Sequence, residues 1–104
     1  MITQQKAEQL VYEKINRPDS SWPDKPEMIL TRTDERESGW VIYWTSRPYH
    51  ETGDFRYAIA GNGPYLVCRQ DGALFHTGTQ PSIEDRIREA ELRLHAHLQN
   101  AFSK

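Results

Sequence analysis

The chain has 104 residues, 37% hydrophobic and 27% charged, with a formal charge of -2. That length is near the commonest size of one compact domain and far short of two independent cores, so residues 1–104 are expected to fold as one domain, and the 11% aromatic share argues against disorder. The slightly acidic balance gives no electrostatic reason for a nucleic-acid partner, the single cysteine forms no internal disulfide, and no apolar run of signal-peptide or membrane-spanning length opens the sequence, so a cytoplasmic protein with no membrane partner is expected.

From Thr3 to about Asn16 the spacing of Ala7, Leu10, Val11 and Ile15 predicts a helix with one apolar stripe and Thr3 as its N-cap. Arg17-Pro18 ends it, because proline disfavours helical geometry in the residue before it and has no amide proton to donate. Pro18 to Pro26, with three prolines, two serines and two aspartates, reads as an extended connector that Trp22 is expected to pin to the core. A short strand is predicted from Glu27 to Thr33, then a charged hairpin loop from Asp34 to Gly39.

Gly39 to Ser46 sets Trp40, Ile42 and Trp44 on one face and Val41, Tyr43 and Thr45 on the other. Neither set is strongly polar, which predicts the central strand of a sheet. Pro48 to Gly63 has no clear period and reads as an irregular loop. Tyr65 to Cys68 is strand-like, Asp71-Gly72 signals a two-residue hairpin turn, and Ala73 to Thr77 returns antiparallel. Pro81 and Ser82 then introduce a helix in which Ser82 caps and Asp85 holds the reciprocal position; Ile83, Ile87, Ala90, Leu94, Leu98, Ala101 and Phe102 continue its apolar stripe. The order predicts an α+β fold, an antiparallel sheet of about four strands with an N-terminal and a long C-terminal helix packed on it.

The residues that bear chemistry form no recognisable catalytic or metal-binding pattern. His95 and His97 stand two apart on a helix and point in different directions, unlike a metal-binding pair on one face. Cys68 sits in an apolar strand as a small hydrophobe; an enzyme using Cys68 with His76 on the next strand is the weakest functional reading, since no nucleophile motif accompanies it. Gly61-Asn62-Gly63-Pro64 precedes a strand and does not open a helix, so its amides lack the adjoining helix N-terminus that helps a phosphate loop hold an anion. Glu51 and Asp54 serve as loop caps as readily as paired acids, and Asp34, Glu35 and Glu37 as a solvated tip or an acidic docking site. If both helices cover one face of the sheet, the other face is an apolar patch edged by Arg47, Tyr49, His50 and Arg56, the composition of a protein-binding surface; the alternative is that the connector and the middle loop fold over it.

Gly39-Trp40 opening a strand, Glu51-Thr52-Gly53-Asp54, Ala60-Gly61-Asn62-Gly63-Pro64, Asp71-Gly72 and Gly78-Thr79 before a helix, taken in this order over about residues 5 to 92, resemble the YrhB-like immunity proteins of bacterial polymorphic-toxin systems. The long C-terminal helix and the Pro18 to Pro26 connector depart from that pattern. The resemblance implies a cytosolic antidote that binds a cognate toxin, with no reaction and no cofactor. The expected partner-binding residues are Tyr43, Trp44, Arg47, Tyr49, His50, Glu51, Asp54 and Arg56. A general chaperone-like or stress-related binder of apolar segments is the alternative, distinguished by suppressing aggregation of unrelated proteins.

Overall fold

In the computed structural model, residues 1–58, 63–77 and 82–102 are described, with 101 and 102 described for backbone only. The elements run α1 (Gln4–Ile15), β1 (Met28–Arg36), β2 (Gly39–Ser46), α2 (Arg47–Thr52), a 3-10 turn (Phe55–Tyr57), β3 (Tyr65–Cys68), β4 (Leu74–His76) and α3 (Ile83–Phe102). The four strands form an antiparallel sheet in the order β1-β2-β3-β4, so β2 lies inside the sheet as its apolar alternation requires. The expectations for Ala60-Gly61-Asn62, Gly78-Thr79 and Pro81 lie outside the described residues.

Thr3 caps α1, its hydroxyl accepting from the Lys6 amide at 3.1 Å. Asn16 stops the helix and fastens it to the sheet: its side chain donates to Met28 O at 2.9 Å and accepts from Met28 N at 2.8 Å, pairing with the first residue of β1 as a strand would. β1 runs three residues past the expected Thr33, and only Glu37 and Ser38 separate it from β2, so the charged segment from Asp34 is mostly strand. One irregularity interrupts the β1–β2 register, between Leu30 and Arg32. Gly39 opens β2 at a place where no side chain fits, because a Cβ there would lie 1.8 Å from the Val67 carbonyl oxygen.

The turn between β3 and β4 is longer than the two-residue form. Val67 faces Leu74, Cys68 N donates to Ala73 O, and residues 69–72 make the connection, with Gly72 N donating back to Cys68 O. Ser82 caps α3 through the Asp85 amide at 3.2 Å.

The two long helices take opposite faces of the sheet. Ala7, Val11 and Ile15 of α1 pack on Met28, Trp40, Ile42 and Val67. Ile87, Ala90 and Leu94 of α3 pack on Val41, Leu66 and Cys68. The helices do not share one face, so the condition for an open apolar face is not met, and β2 has no polar side because each of its faces has a helix to meet. Burying each such aliphatic side chain contributes about 1.5–3 kcal/mol before conformational entropy is set against it.

Polar fasteners lock α3 to the strands. Glu91 receives Arg36 Nε and Nη2, each at 3.1 Å, and the Ser38 hydroxyl at 3.1 Å, which holds its carboxyl below the usual range. Further along that helix His97 Nε2 meets Asp71 Oδ2 at 2.7 Å while its ring sits edge-on to Phe75.

Candidate functional site: an aromatic end of the sheet

β1 begins where β2 ends, since Met28 faces Ser46. The connector before β1 and the α2 segment after β2 therefore emerge at the same end of the sheet. Ser46, fully buried, organises the chain just past β2: its oxygen accepts from the Tyr49 amide at 3.2 Å as the N-cap of α2, and its hydroxyl donates to Tyr57 O at 2.6 Å. One side chain thus holds both α2 and the 3-10 turn. Pro48 in the first turn suits a helix start, and Gly53, at φ 70, ends the helix in the left-handed conformation with its amide donating to Tyr49 O at 2.7 Å. Asp54 caps the 3-10 turn through the Arg56 amide and binds the Arg56 guanidinium at 2.7 and 3.0 Å, which lowers its carboxyl.

Glu27, the last residue of the connector, joins these pieces. Its Oε2 accepts from the Tyr12 hydroxyl at 2.7 Å, and its carboxylate receives Arg47 Nε at 2.7 Å and Nη2 at 3.3 Å. The Arg47 amide also donates to Glu27 O at 2.8 Å. Arg47 first and Tyr12 second hold the Glu27 carboxyl down to about 2, and the same contacts raise Tyr12 and Arg47. Behind Glu27 the connector folds over a groove of about 570 Å³ bordered by Asn16, Arg17, Trp22, Lys25 and Glu27.

The aromatic side chains give this end its character. Phe55 is 83% exposed and Tyr12, Trp22 and Tyr57 are 39–40% exposed; among the described residues, every exposed aromatic lies here. Trp22 therefore lines the groove and does not pin the connector into the core. Tyr49 stands beside Phe55, ring centres 6.2 Å apart, and Arg56 lies 5.8 Å from the Tyr57 ring.

Of the residues expected to bind a partner, Arg47, Tyr49, His50, Glu51, Asp54 and Arg56 share this end on α2 and the 3-10 turn. Tyr43 and Trp44 are split by the strand alternation. Tyr43 packs on the α3 side with Arg32 5.3 Å from its ring, while Trp44 packs on the α1 side and donates its indole N–H to Gly63 O at 3.0 Å. Tyr12, Trp22, Glu27, Phe55 and Tyr57 escape the sequence reading; the signal for the last two was the aromatic pair flanking Arg56 directly after a capping aspartate.

The cysteine–histidine pairing fails on register. His76 faces Tyr65 and its ring meets Tyr65 edge-on at 5.2 Å, so it lies on the Tyr65 side of the sheet, whereas Cys68, three residues on, is buried under α3. Burial pushes the Cys68 thiol up, against thiolate formation. Among the described residues no group of three or more His, Cys, Asp or Glu side chains is placed to hold a metal ion, and no helix is long and apolar enough to cross a membrane.

Comparison with known proteins agrees with the resemblance drawn from the sequence. The Escherichia coli (strain K12) protein described as "Uncharacterized protein YrhB" is 26% identical over 66 residues, a stretch covering 64% of this chain and 70% of the relative. No solved structure gives a significant match. The family profile described as Immunity protein 35 matches residues 5–90. By that match over most of its length, the chain belongs to the Immunity protein 35 family.

Proposed function

We propose that this protein is a cytosolic antidote that neutralises a cognate bacterial toxin, of the polymorphic, contact-dependent or secreted kind, by occupying it stoichiometrically, and that the aromatic end of the sheet makes the contact. The observation that carries the choice of surface is the gathering of Tyr12, Trp22, Phe55 and Tyr57, all exposed, beside Arg47 and Arg56. Aromatic and arginine side chains supply much of the energy in protein interfaces, the aromatics because each removes a large apolar area from water while losing few rotamers and arginine because its planar guanidinium stacks and donates several hydrogen bonds at once. The rest of the molecule supports the reading: α1 and α3 cover the two sheet faces, so the exposed aromatics are not leftovers of an unfinished core.

Blocking an active site requires tight binding but no unusual area. An interface of standard size takes about 800 Å² from each partner, and a few well-filled anchors decide its affinity. The mechanism makes and breaks no covalent bonds, in line with a family of immunity proteins and with a Cys68 whose thiol is buried away from His76.

The test is co-expression with the toxin encoded beside the gene, scored for growth rescue and for a complex that co-purifies at equal stoichiometry. Rescue without a complex would rule out occlusion. Rescue by the parent chain that persists when Trp22, Phe55 and Tyr57 are all changed to alanine would move the contact elsewhere.

A further inference from the structure

The recognition end is assembled from three separate stretches of chain, and one carboxylate touches all of them. Glu27 belongs to the connector, Tyr12 to the exposed side of α1, and Arg47 to the first turn of α2. None of α2's residues is buried. A six-residue helix whose residues are at most half-buried gains little from the hydrophobic effect and is far too short to persist alone. What holds it is therefore largely polar: Ser46 beneath its first turn, Gly53 at its end, and the Glu27–Arg47 bridge.

Resting on the occlusion reading, we propose that Glu27 is a positioning residue of the toxin-binding surface: by holding Tyr12 and Arg47 from one carboxylate, it fixes α2 and the aromatics beyond it against α1 and the connector before any partner arrives. The consequence lies in affinity more than in fold. A partner meeting a loose α2 must order it on binding, and that entropy is subtracted from the interaction. A partner meeting a fixed α2 finds Tyr49 and Phe55, side by side, already placed on the segment that Arg47 ties to Glu27. Surface ion pairs taken singly do little, but a bidentate arginine joined to a second donor on the same carboxylate is the arrangement in which they do act.

The variant is Glu27→Gln, which keeps the size of the side chain and removes its charge. Hydrogen exchange on the free protein is the first measurement. The Gly53 amide, bonded to Tyr49 O, should exchange roughly fivefold faster than in the parent while the amides of α3 are unchanged. Toxin affinity is the second, with a roughly fivefold loss expected while the midpoint of thermal unfolding falls by no more than about 3 °C, the size of a solvent-screened surface contribution. Tyr12→Phe should give a smaller loss in both, and the exchanged pair Glu27→Arg with Arg47→Glu should restore part of the affinity that either single change removes. Affinity lost and regained out of proportion to any change in the unfolding midpoint is not expected of a residue that merely supports the fold.

Unchanged exchange at Gly53 in Glu27→Gln would overturn the proposal, as would faster exchange with undiminished affinity. If the parent chain fails to bind the toxin, the occlusion reading falls, and with it the role of Glu27 in the interface.

Discussion

Phe55→Ala is the sharpest probe of where the protein acts. The ring is 83% exposed and comes directly after a capping aspartate, so its removal leaves no cavity and breaks none of the described hydrogen bonds of the 3-10 turn. A buried phenylalanine covers about 200 Å²; with most of that area still open in the free protein, full burial under a partner removes about 170 Å² from water, equivalent to about 4 kcal/mol at 25 cal/mol/Å². Incomplete contact and the cost of fixing the ring reduce this to about 2–3 kcal/mol, or roughly 30- to 150-fold in Kd. Titration calorimetry with an inactivated toxin reads that loss directly. Thermal unfolding of the free variant should stay within about 2 °C of the parent, the expectation for a surface substitution. An affinity within threefold of the parent's would refute the placement of the interface at this end, because no other described side chain there exposes so much apolar surface.

Three further outcomes rest on the same structure. Leu94→Ala, which empties a fully buried position between α3 and the sheet, should cost about 3 kcal/mol and lower the unfolding midpoint by roughly 15 °C, whereas Leu92→Ala two residues away, 65% exposed, should change it by less than about 3 °C; equal effects in thermal unfolding would mean that α3 presents a different face to the core. The Glu27 carboxyl, at about 2 in the folded chain against 4.5 as its ordinary value, contributes stability that is complete above about 4.5 and is lost as pH falls through about 2, a contribution screened by solvent at this exposed site; an acid titration followed by NMR at Glu27 should show the low midpoint, and Arg47→Met should raise it. Cys68, fully buried with its thiol pushed up, should resist iodoacetamide in the native protein and react promptly in denaturant; rapid native labelling, read by mass spectrometry, would contradict its place under α3.

The sequence made the long elements legible because each carries its own period. Ala7, Val11 and Ile15 mark the face of α1, the two-residue alternation of Trp40 to Thr45 marks β2, and Ile87, Ala90 and Leu94 mark α3; all are core residues or strand positions in the structure. α2 was invisible to the same reasoning because it buries nothing and so has no period, although Ser46, Pro48 and Gly53 are a legible cap, first-turn proline and stop. Which face each helix takes is not written in either helix. It is written in β2, whose two apolar faces call for cover on both sides, a signal that the reading with both helices on one face set aside. The site was half legible for a related reason. Arg47, Tyr49, His50, Glu51, Asp54 and Arg56 lie within one short stretch of sequence and stay together, but Tyr43 and Trp44 belong to a strand that sends neighbours to opposite sides. Tyr12, Trp22 and Glu27 reach the site only through the pairing of Met28 with Ser46, a long-range fact.

An antiparallel sheet offers a partner two faces, two edges and two ends, and here the faces are already occupied by α1 and α3. The edges are guarded as well. β1 is irregular between Leu30 and Arg32, and the exposed Arg32 pairs with Asp34 two residues on, so this edge presents a broken ladder with charges upon it. On β4 the bonded pairs Cys68–Ala73 and Pro64–Thr77 bracket His76, whose carbonyl therefore turns away from β3, and Arg93 of α3 reaches across to donate to it. An incoming strand would have to displace that guanidinium to extend the sheet. Recognition by strand addition is disfavoured at both edges, which leaves a partner to read side chains. The exposed aromatic side chains among the described residues are gathered where β1 begins and β2 ends, and of these Trp22, Phe55 and Tyr57 sit on segments that no sheet face or edge requires for its own completion.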